Sequence, residues 1–417
     1  MKVAIIGAGV AGIAAARRAV QYNLECTIFE AIGSIGGTWV YTENAFTDEF
    51  NNPVHSSLFA SVRLLTPVQL MEMEGLEFKP KNKSSYPGHA EVLEYLQNFA
   101  KKYELEKYVK FFHKVLKISR EPDCWKLTVK NLKENSISDH LFDAVMLCNG
   151  RHSKPKLPRI HGMETFTGDQ IHSHNYRRNN SYKDKRLLVV GAGTSALEIS
   201  LDCSKVTQKS YLSYRSAAPK TELGEKIEIK PQVSLIKGNE IHFKDGTCAV
   251  IDSIIYCTGY EYDCSVLDSS CGIELIDGGI LKPLYKMFIN AVQPTMCILG
   301  LATRTIIPAL ADLHAELFVK HLIRKVNLPS SEEMVQSFED EYRKKREAGI
   351  EAADFYNLGL QMKEYFDEIS KMANTKSLLP VKFRLREYSR EYRKKNYLTF
   401  REQQIKIIDD ENFECCG

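Results

Sequence analysis

The eleven cysteines never fall into a Cys-x-x-Cys pair, which removes the usual zinc sites and the dithiol of a disulfide reductase. Odd in number and without framework spacing, they read as the reduced thiols of a cytoplasmic protein, or of a secreted one if a leader was removed ahead of the present start. No apolar run reaches the roughly 18 residues that span a bilayer, so no membrane anchor is expected. Charge of one sign is also scarce. The net charge is +3 on 417 residues, too little to single out nucleic acid as a partner. The basic runs Arg343-Lys344-Lys345-Arg346 and Arg393-Lys394-Lys395 are flanked by acids and read as solvated helix faces. The histidines show no ligand spacing, so no metal is expected. Cys415-Cys416-Gly417 fits no prenylation pattern and reads as a frayed tail.

With 44% hydrophobic and 26% charged residues, the chain is globular and long enough for two or three domains. The first chemical signal is Gly7-Ala8-Gly9-Val10-Ala11-Gly12. It follows the apolar run VAII and opens the helical stretch AGIAAARRAVQY; a second strand, ECTIFE, ends in Glu30. Strand, glycine turn, helix and acid together form the dinucleotide fingerprint. The turn and the helix amino end receive a pyrophosphate, and the acid receives a ribose diol.

A second loop, Gly191-Ala192-Gly193-Thr194-Ser195-Ala196, follows RLLVV and precedes LEISLDCSKV; the loop and the first helical residues, Leu197 and Glu198, are expected to bind the second cofactor. Where the first unit has Glu30, this one has Tyr214 and Arg215. A carboxylate there would repel a 2′-phosphate, whereas a guanidinium can grip it; the other reading of Arg215 is an ordinary surface arginine. The pair of loops therefore suits FAD first and NADPH second. Flavin is the redox centre, NADPH (leaving as NADP+) the hydride donor, and oxygen or an electron carrier the final acceptor.

Between the loops lies ETFTGDQIHSHNYRR (164–178), too polar for a buried strand and too aromatic for an idle linker. Its pattern Phe166-x-Gly168-x-x-x-His172-x-x-x-Tyr176 resembles the signature of the flavin-containing monooxygenases, which oxygenate soft nitrogen and sulfur atoms. Gly36-Gly37-Thr38-Trp39, LCNGRHSKPKLP (147–158), YCTGYEYD (256–263, with Thr258 and Gly259) and LKPLYK (281–286) extend that resemblance. The closing segment 394–413 resembles the insect branch, to which the pyrrolizidine-alkaloid N-oxygenases belong.

The resemblance implies an α/β fold of two Rossmann-like dinucleotide-binding domains, the second inserted in the first. The expected division is 1–160 and 263–330 for FAD, 161–262 for NADPH, and 331–417 as a helical extension packed on the FAD domain. It places Gly37, Thr38, Trp39, Leu64 and Val115 beside FAD, and His172 and Tyr176 at the junction with NADPH, where holding the hinge alone would be an equally good role. It implies NADPH- and O2-dependent oxygenation of an amine or sulfide through a C4a-hydroperoxyflavin, with alkaloid detoxification as the specific expectation. No catalytic triad is expected, and a homodimer is the expected assembly because relatives often dimerise.

One departure stands out. Members of the family usually carry Asn where this chain has Leu65, beside Thr66, on the flavin side. Leucine offers no hydrogen bond, so the pocket is expected to be apolar or the enzyme to leak hydrogen peroxide. An NADPH oxidase releasing peroxide and a non-catalytic NADP-binding protein are the competing readings; a Baeyer–Villiger enzyme would have tryptophan in place of Tyr176.

Overall fold

The computed structural model describes residues 1–218, 221 and 223–416. Two parallel sheets organise it among these residues. The first runs in the order Leu284–Tyr285, Ile289–Asn290, Met296–Ile298, Ala144–Leu147, Lys2–Ile6, Glu25–Phe29, Val109–Lys110. Its last five strands are parallel. The central strands are apolar throughout (VAII, AVML) because both faces are covered. The second sheet is all parallel, in the order Ile227–Lys230, Lys209–Ser213, Arg186–Val190, Ser253–Tyr256, Asp169–His172. Its strands all come from within the chain interval between the two groups that build the first, as an inserted Rossmann-like unit requires.

Helix α1 (Val10–Gln21) buries Ala14, Ala15, Ala16 and Ala19, and their small side chains let it lie close to the sheet. Helix α2 is His89–Lys102 and α3 is Thr194–Ser204. Helix α4 (Ile307–Leu322) packs along α1 and is buried nearly all round. The remaining helices are α5 (Ser331–Glu347), α6 (Met362–Met372) and α7 (Pro380–Lys395). Ser330 and Glu333 close a reciprocal capping box at the start of α5, worth about 1 kcal/mol. No helix among the described residues is long and apolar enough to cross a membrane.

The carboxyl-terminal segment departs from expectation in two ways. Cys415 and Cys416 are not frayed: they lie in the strand Phe413–Cys416, which pairs antiparallel with Gln404–Ile407. That hairpin is anchored because Ile405 is buried in the main core and its N–H donates to Ser85 Oγ at 2.7 Å; Gly417 lies outside the described residues. The extension also reaches past the first unit. Phe355, Phe366, Phe383 and Phe400 join the main core, but Tyr397 packs in the core of the second unit with Phe59 and Tyr176.

Candidate active site

In an open parallel sheet, ligands bind outside the carboxyl ends of the strands where the strand order reverses. Both sheets have such a point. In the first, the strand Lys2–Ile6 lies between Glu25–Phe29 and Ala144–Leu147, and its end carries the Gly7–Gly12 turn beside Cys148. A Cβ on Gly12 would stand 1.8 Å from Gly7 O, so this turn and helix can meet only through glycine. The second glycine pair closes on the same turn: a Cβ on Gly37 would stand 2.8 Å from Gly9 Cα. This backbone cradle, with the uncapped amino end of α1 aimed out of it, fits a pyrophosphate. Thr38 and Trp39 sit in the short turn Gly37–Trp39, where Thr38 O accepts from Ser56 Oγ at 2.7 Å.

Glu30 closes the cradle from the neighbouring strand. Its carboxylate accepts from Ala8 N at 2.7 Å and Ile32 N at 2.9 Å and is buried. Burial raises its pKa, and the N–H groups of Ile32 and Ala8 oppose that rise. Each oxygen keeps a lone pair with which a ribose hydroxyl could bond. Leu64 is buried, Leu65 packs partly buried against the main core, Thr66 is half-buried, and Val115 is buried at a bulge of the strand His113–Arg120.

The second sheet repeats the arrangement around Gly191, whose Cβ would stand 2.3 Å from Cys257 O. Its turn is open where the first is closed: a Cβ on Gly193 meets nothing within 4 Å, and Gly193, Thr194 and Ser195 are exposed. The uncapped amino end of α3 can therefore take a second pyrophosphate. Ala196 is buried and Leu197 packs partly buried in this unit's core. Arg215 is exposed and touches Glu351 at 3.4 Å, a loose surface pair that leaves its guanidinium free to turn. Glu198 is turned away from the loop, accepting from Tyr397 Oη at 2.8 Å and from Arg401 at 2.6 Å.

The two units meet where the chain crosses between them. The strands Lys154–Pro155 and Tyr260–Glu261 run side by side, and Asn149 joins the crossings, donating to Asp263 O at 2.8 Å and accepting from Tyr262 Oη at 2.5 Å. Thr258 Oγ1 donates to Lys156 O at 2.5 Å, and Gly259 O accepts from Lys156 N. The 164–178 segment is part of this junction. Phe166 packs on one face of the second sheet and Tyr176 on the other, its hydroxyl donating to Asp202 at 2.7 Å. The residues after His172 are sewn to the 43–57 segment of the first unit. His174 Nε2 meets Val54 O at 2.8 Å, Asn175 donates to Ala45 O at 2.6 Å, and the buried Arg177 donates to Asn44 O and Ser56 O. Arg177 was not singled out from the sequence, where a buried arginine looks like any other; its place directly after Tyr176 was the available signal.

Around Tyr260 gather the rings of His152, His172 and His174, with centroids 5.1–5.8 Å away. Arg151, Arg177 and the half-buried His55 stand nearby. Burial is the leading cause that pulls His172, 5% exposed, from 6.5 to about 4, whereas the His152 side chain is exposed, so water can solvate its charge. Because the folded state resists protonation at His172, the unfolded chain binds more protons between about pH 6.5 and 4, and stability falls as pH falls through that window. Urea titrations across it are expected to show a contribution approaching one proton per chain that is lost when His172 is replaced by glutamine. An unchanged slope in His172→Gln would show that this ring is not held neutral in the fold.

The comparisons fit this geometry. The Flavin-binding monooxygenase-like family model matches residues 1–221 and 217–387. Senecionine N-oxygenase of Tyria jacobaeae is 31% identical over 419 residues, covering 99% of this chain and 91% of that protein. Flavin-containing monooxygenase FMO GS-OX3 of Arabidopsis thaliana is 31% identical across 88% of this chain and 84% of its own. The structure of S-allyl-L-cysteine S-oxygenase from Allium sativum superposes with a TM-score of 0.91 at 27% identity, covering 97% of this chain and 95% of that one. Two dinucleotide cradles on one α/β framework, matched along nearly the whole length, place the chain in the flavin-binding monooxygenase-like family, as an enzyme that uses FAD and draws its electrons from NADPH.

Proposed function

We propose that the enzyme N-oxygenates a tertiary amine, with S-oxygenation of a sulfide as its second activity, and that its substrates are tertiary-amine alkaloids such as pyrrolizidine alkaloids, oxidised for detoxification. The observation that carries this reading is the similarity to senecionine N-oxygenase over 99% of the chain. The sulfur alternative is supported by the S-oxygenase likeness, 27% identical over 97% of the chain.

In this reading the Gly7–Gly12 turn (with Ala8, Val10 and Ala11), Gly37, Thr38 and Trp39 hold the FAD pyrophosphate side, and Glu30 the ribose; Leu64 and Val115 line the flavin. Gly191, Gly193, Thr194, Ser195, Ala196 and Leu197 receive the NADPH pyrophosphate, and Arg215 the 2′-phosphate. Thr258, Gly259, His172 and Tyr176 hold the junction. We place the FAD domain at 1–160 and 263–330 and the NADPH domain at 161–262. Bound flavin supplies the redox chemistry, passing an oxygen atom from O2 to the heteroatom with NADPH as reductant. The chain positions the partners and keeps water out. Leu65 and Thr66 bound the reaction space, so an uncharged amine meets an apolar wall with no protein acid or base.

The test follows NADPH consumption, N-oxide and hydrogen peroxide in air, with and without senecionine. Alkaloid-dependent N-oxide with little peroxide is expected. Steady peroxide release, indifferent to alkaloids, amines and sulfides, would leave an NADPH oxidase instead.

A further inference from the structure

Helix α7 presents Lys382, Arg386 and Arg393 on one face, at i, i+4 and i+11. Two of them fix where that face lies. Lys382 Nζ donates to Gln69 O and contacts Glu72, both at 2.6 Å, and Arg393 Nη1 donates to Leu65 O at 2.5 Å. The face therefore runs along residues 65–72, with Arg386 over the middle of that segment, between the anchors beside Leu65 and Gln69.

The Arg386 side chain has no hydrogen-bond partner among the described residues. Its Nε and Nη1 are buried and lack a hydrogen-bond partner, and no carboxylate meets its side chain among the described residues. The neighbouring charges that act on it are cations: Arg393, Arg390 and Arg304. Arg390 is engaged by Glu391 at 2.9 Å, while Arg304 reaches Asp354 only at 3.9 Å. Arg304 also holds a left-handed backbone, φ 51°, in the loop that follows Leu301, a conformation that costs energy and gathers at functional loops. Burial, helped by those neighbouring cations, brings Arg386 down to about 10. The side chain is half-buried, and holding two of its nitrogens away from water without an anion costs free energy; a ligand carboxylate would remove that cost, and the guanidinium fork is shaped to receive one.

We propose that Arg386, within the field of Arg304, receives a carboxylate carried by a substrate, so that the enzyme also takes, beside the uncharged amines above, amines or sulfides bearing an acidic group a few atoms from the heteroatom. This rests on the reading above that Leu65 and Thr66 border the reaction space.

The experiment compares methylthioacetate with its methyl ester on the flavin- and NADPH-loaded enzyme, in wild type, Arg386→Met and Arg386→Lys, with flavin content and thermal midpoint confirming the fold. The acid is expected to be the better wild-type substrate. Arg386→Met should lower kcat/KM for the acid about 10- to 100-fold more than for the ester, mainly through KM, and Arg386→Lys should restore part of the difference. Equal losses on acid and ester, or no wild-type preference for the acid, would overturn the site. A rise in the NADPH KM with acid and ester falling together would also overturn it, assigning the arginine to a cofactor phosphate. If neither sulfide is oxygenated, calorimetric binding of methylthioacetate to the NADP+-loaded protein decides separately. Binding lost in Arg386→Met keeps the site and sinks S-oxygenation of such sulfides; binding unchanged sinks the site.

Discussion

Substituting Gly12 by alanine is expected to leave a folded chain that purifies without yellow colour. The added methyl would sit 1.8 Å from Gly7 O and 2.9 Å from Gly7 C, and these are backbone atoms of the turn itself. No rotamer change relieves that overlap. Either the turn opens or α1 slides away from the strand Lys2–Ile6, and α1 is held from behind by α4. Both displacements move the amino end of α1 off the line on which its free N–H groups meet the pyrophosphate. Overpacking of this kind costs about 1–3 kcal/mol, roughly 5- to 150-fold in Kd for the flavin if it falls on the cradle. Flavin absorbance per chain and a titration of the apoprotein with FAD measure it. The matching change at the second loop, Gly193→Ala, meets nothing within 4 Å and should leave folding and flavin intact while raising the NADPH KM. Full flavin retention in Gly12→Ala would show that the close approach is not what holds the cofactor.

How much of this was legible in the sequence depends on the range of the interactions. The glycine turns, the strands before them and Glu30 are local signals: spacing along one βαβ unit sets their geometry, and the structure places all of them together. The 164–178 segment was legible as a joint but not in its manner of joining. Apart from the exposed Arg178–Glu43 pair, its side-chain bonds to the first unit go to carbonyls of 44–56, which carry no side-chain signature. Glu198 shows the limit most plainly. Its position at the second loop pointed to the cofactor, yet its carboxylate is engaged by Tyr397 and Arg401 from the far end of the chain. Arg401 in turn donates to Leu64 O at 3.2 Å, so the extension grips the second unit's helix and the 64–66 segment together. Helical periodicity could announce the extension but not which unit it would touch, because Tyr and Phe at helical spacing fit either core.

The same dependence on distant partners makes Asp312→Ala the most damaging single change expected for stability. Arg18 on α1 is buried and donates through Nε to Asp312 on α4 at 3.0 Å, with a second bond from Nη2 to the same carboxylate. Glu316 stands 2.7 Å from Arg18 and accepts from Tyr22 Oη at 2.6 Å; Arg17, Glu74 and Lys320 complete a balanced group of three cations and three carboxylates. Removing Asp312 leaves two arginines facing less charge than they need in a place water reaches poorly, which costs about 3–5 kcal/mol. Replacing both partners with apolar residues, Arg18→Met with Asp312→Leu, removes the stranded charge as well and should recover most of that loss. Urea denaturation of the single and double variants measures both, and a single-variant loss below about 1 kcal/mol would place the network among ordinary surface pairs. The consequence reaches the active site. The network binds α1, whose amino end faces the Gly7–Gly12 cradle, to α4, which begins just beyond Arg304. Flavin affinity should therefore fall with stability in Asp312→Ala and return with it in the double variant, whereas a purely local ion pair would leave Kd for FAD unmoved.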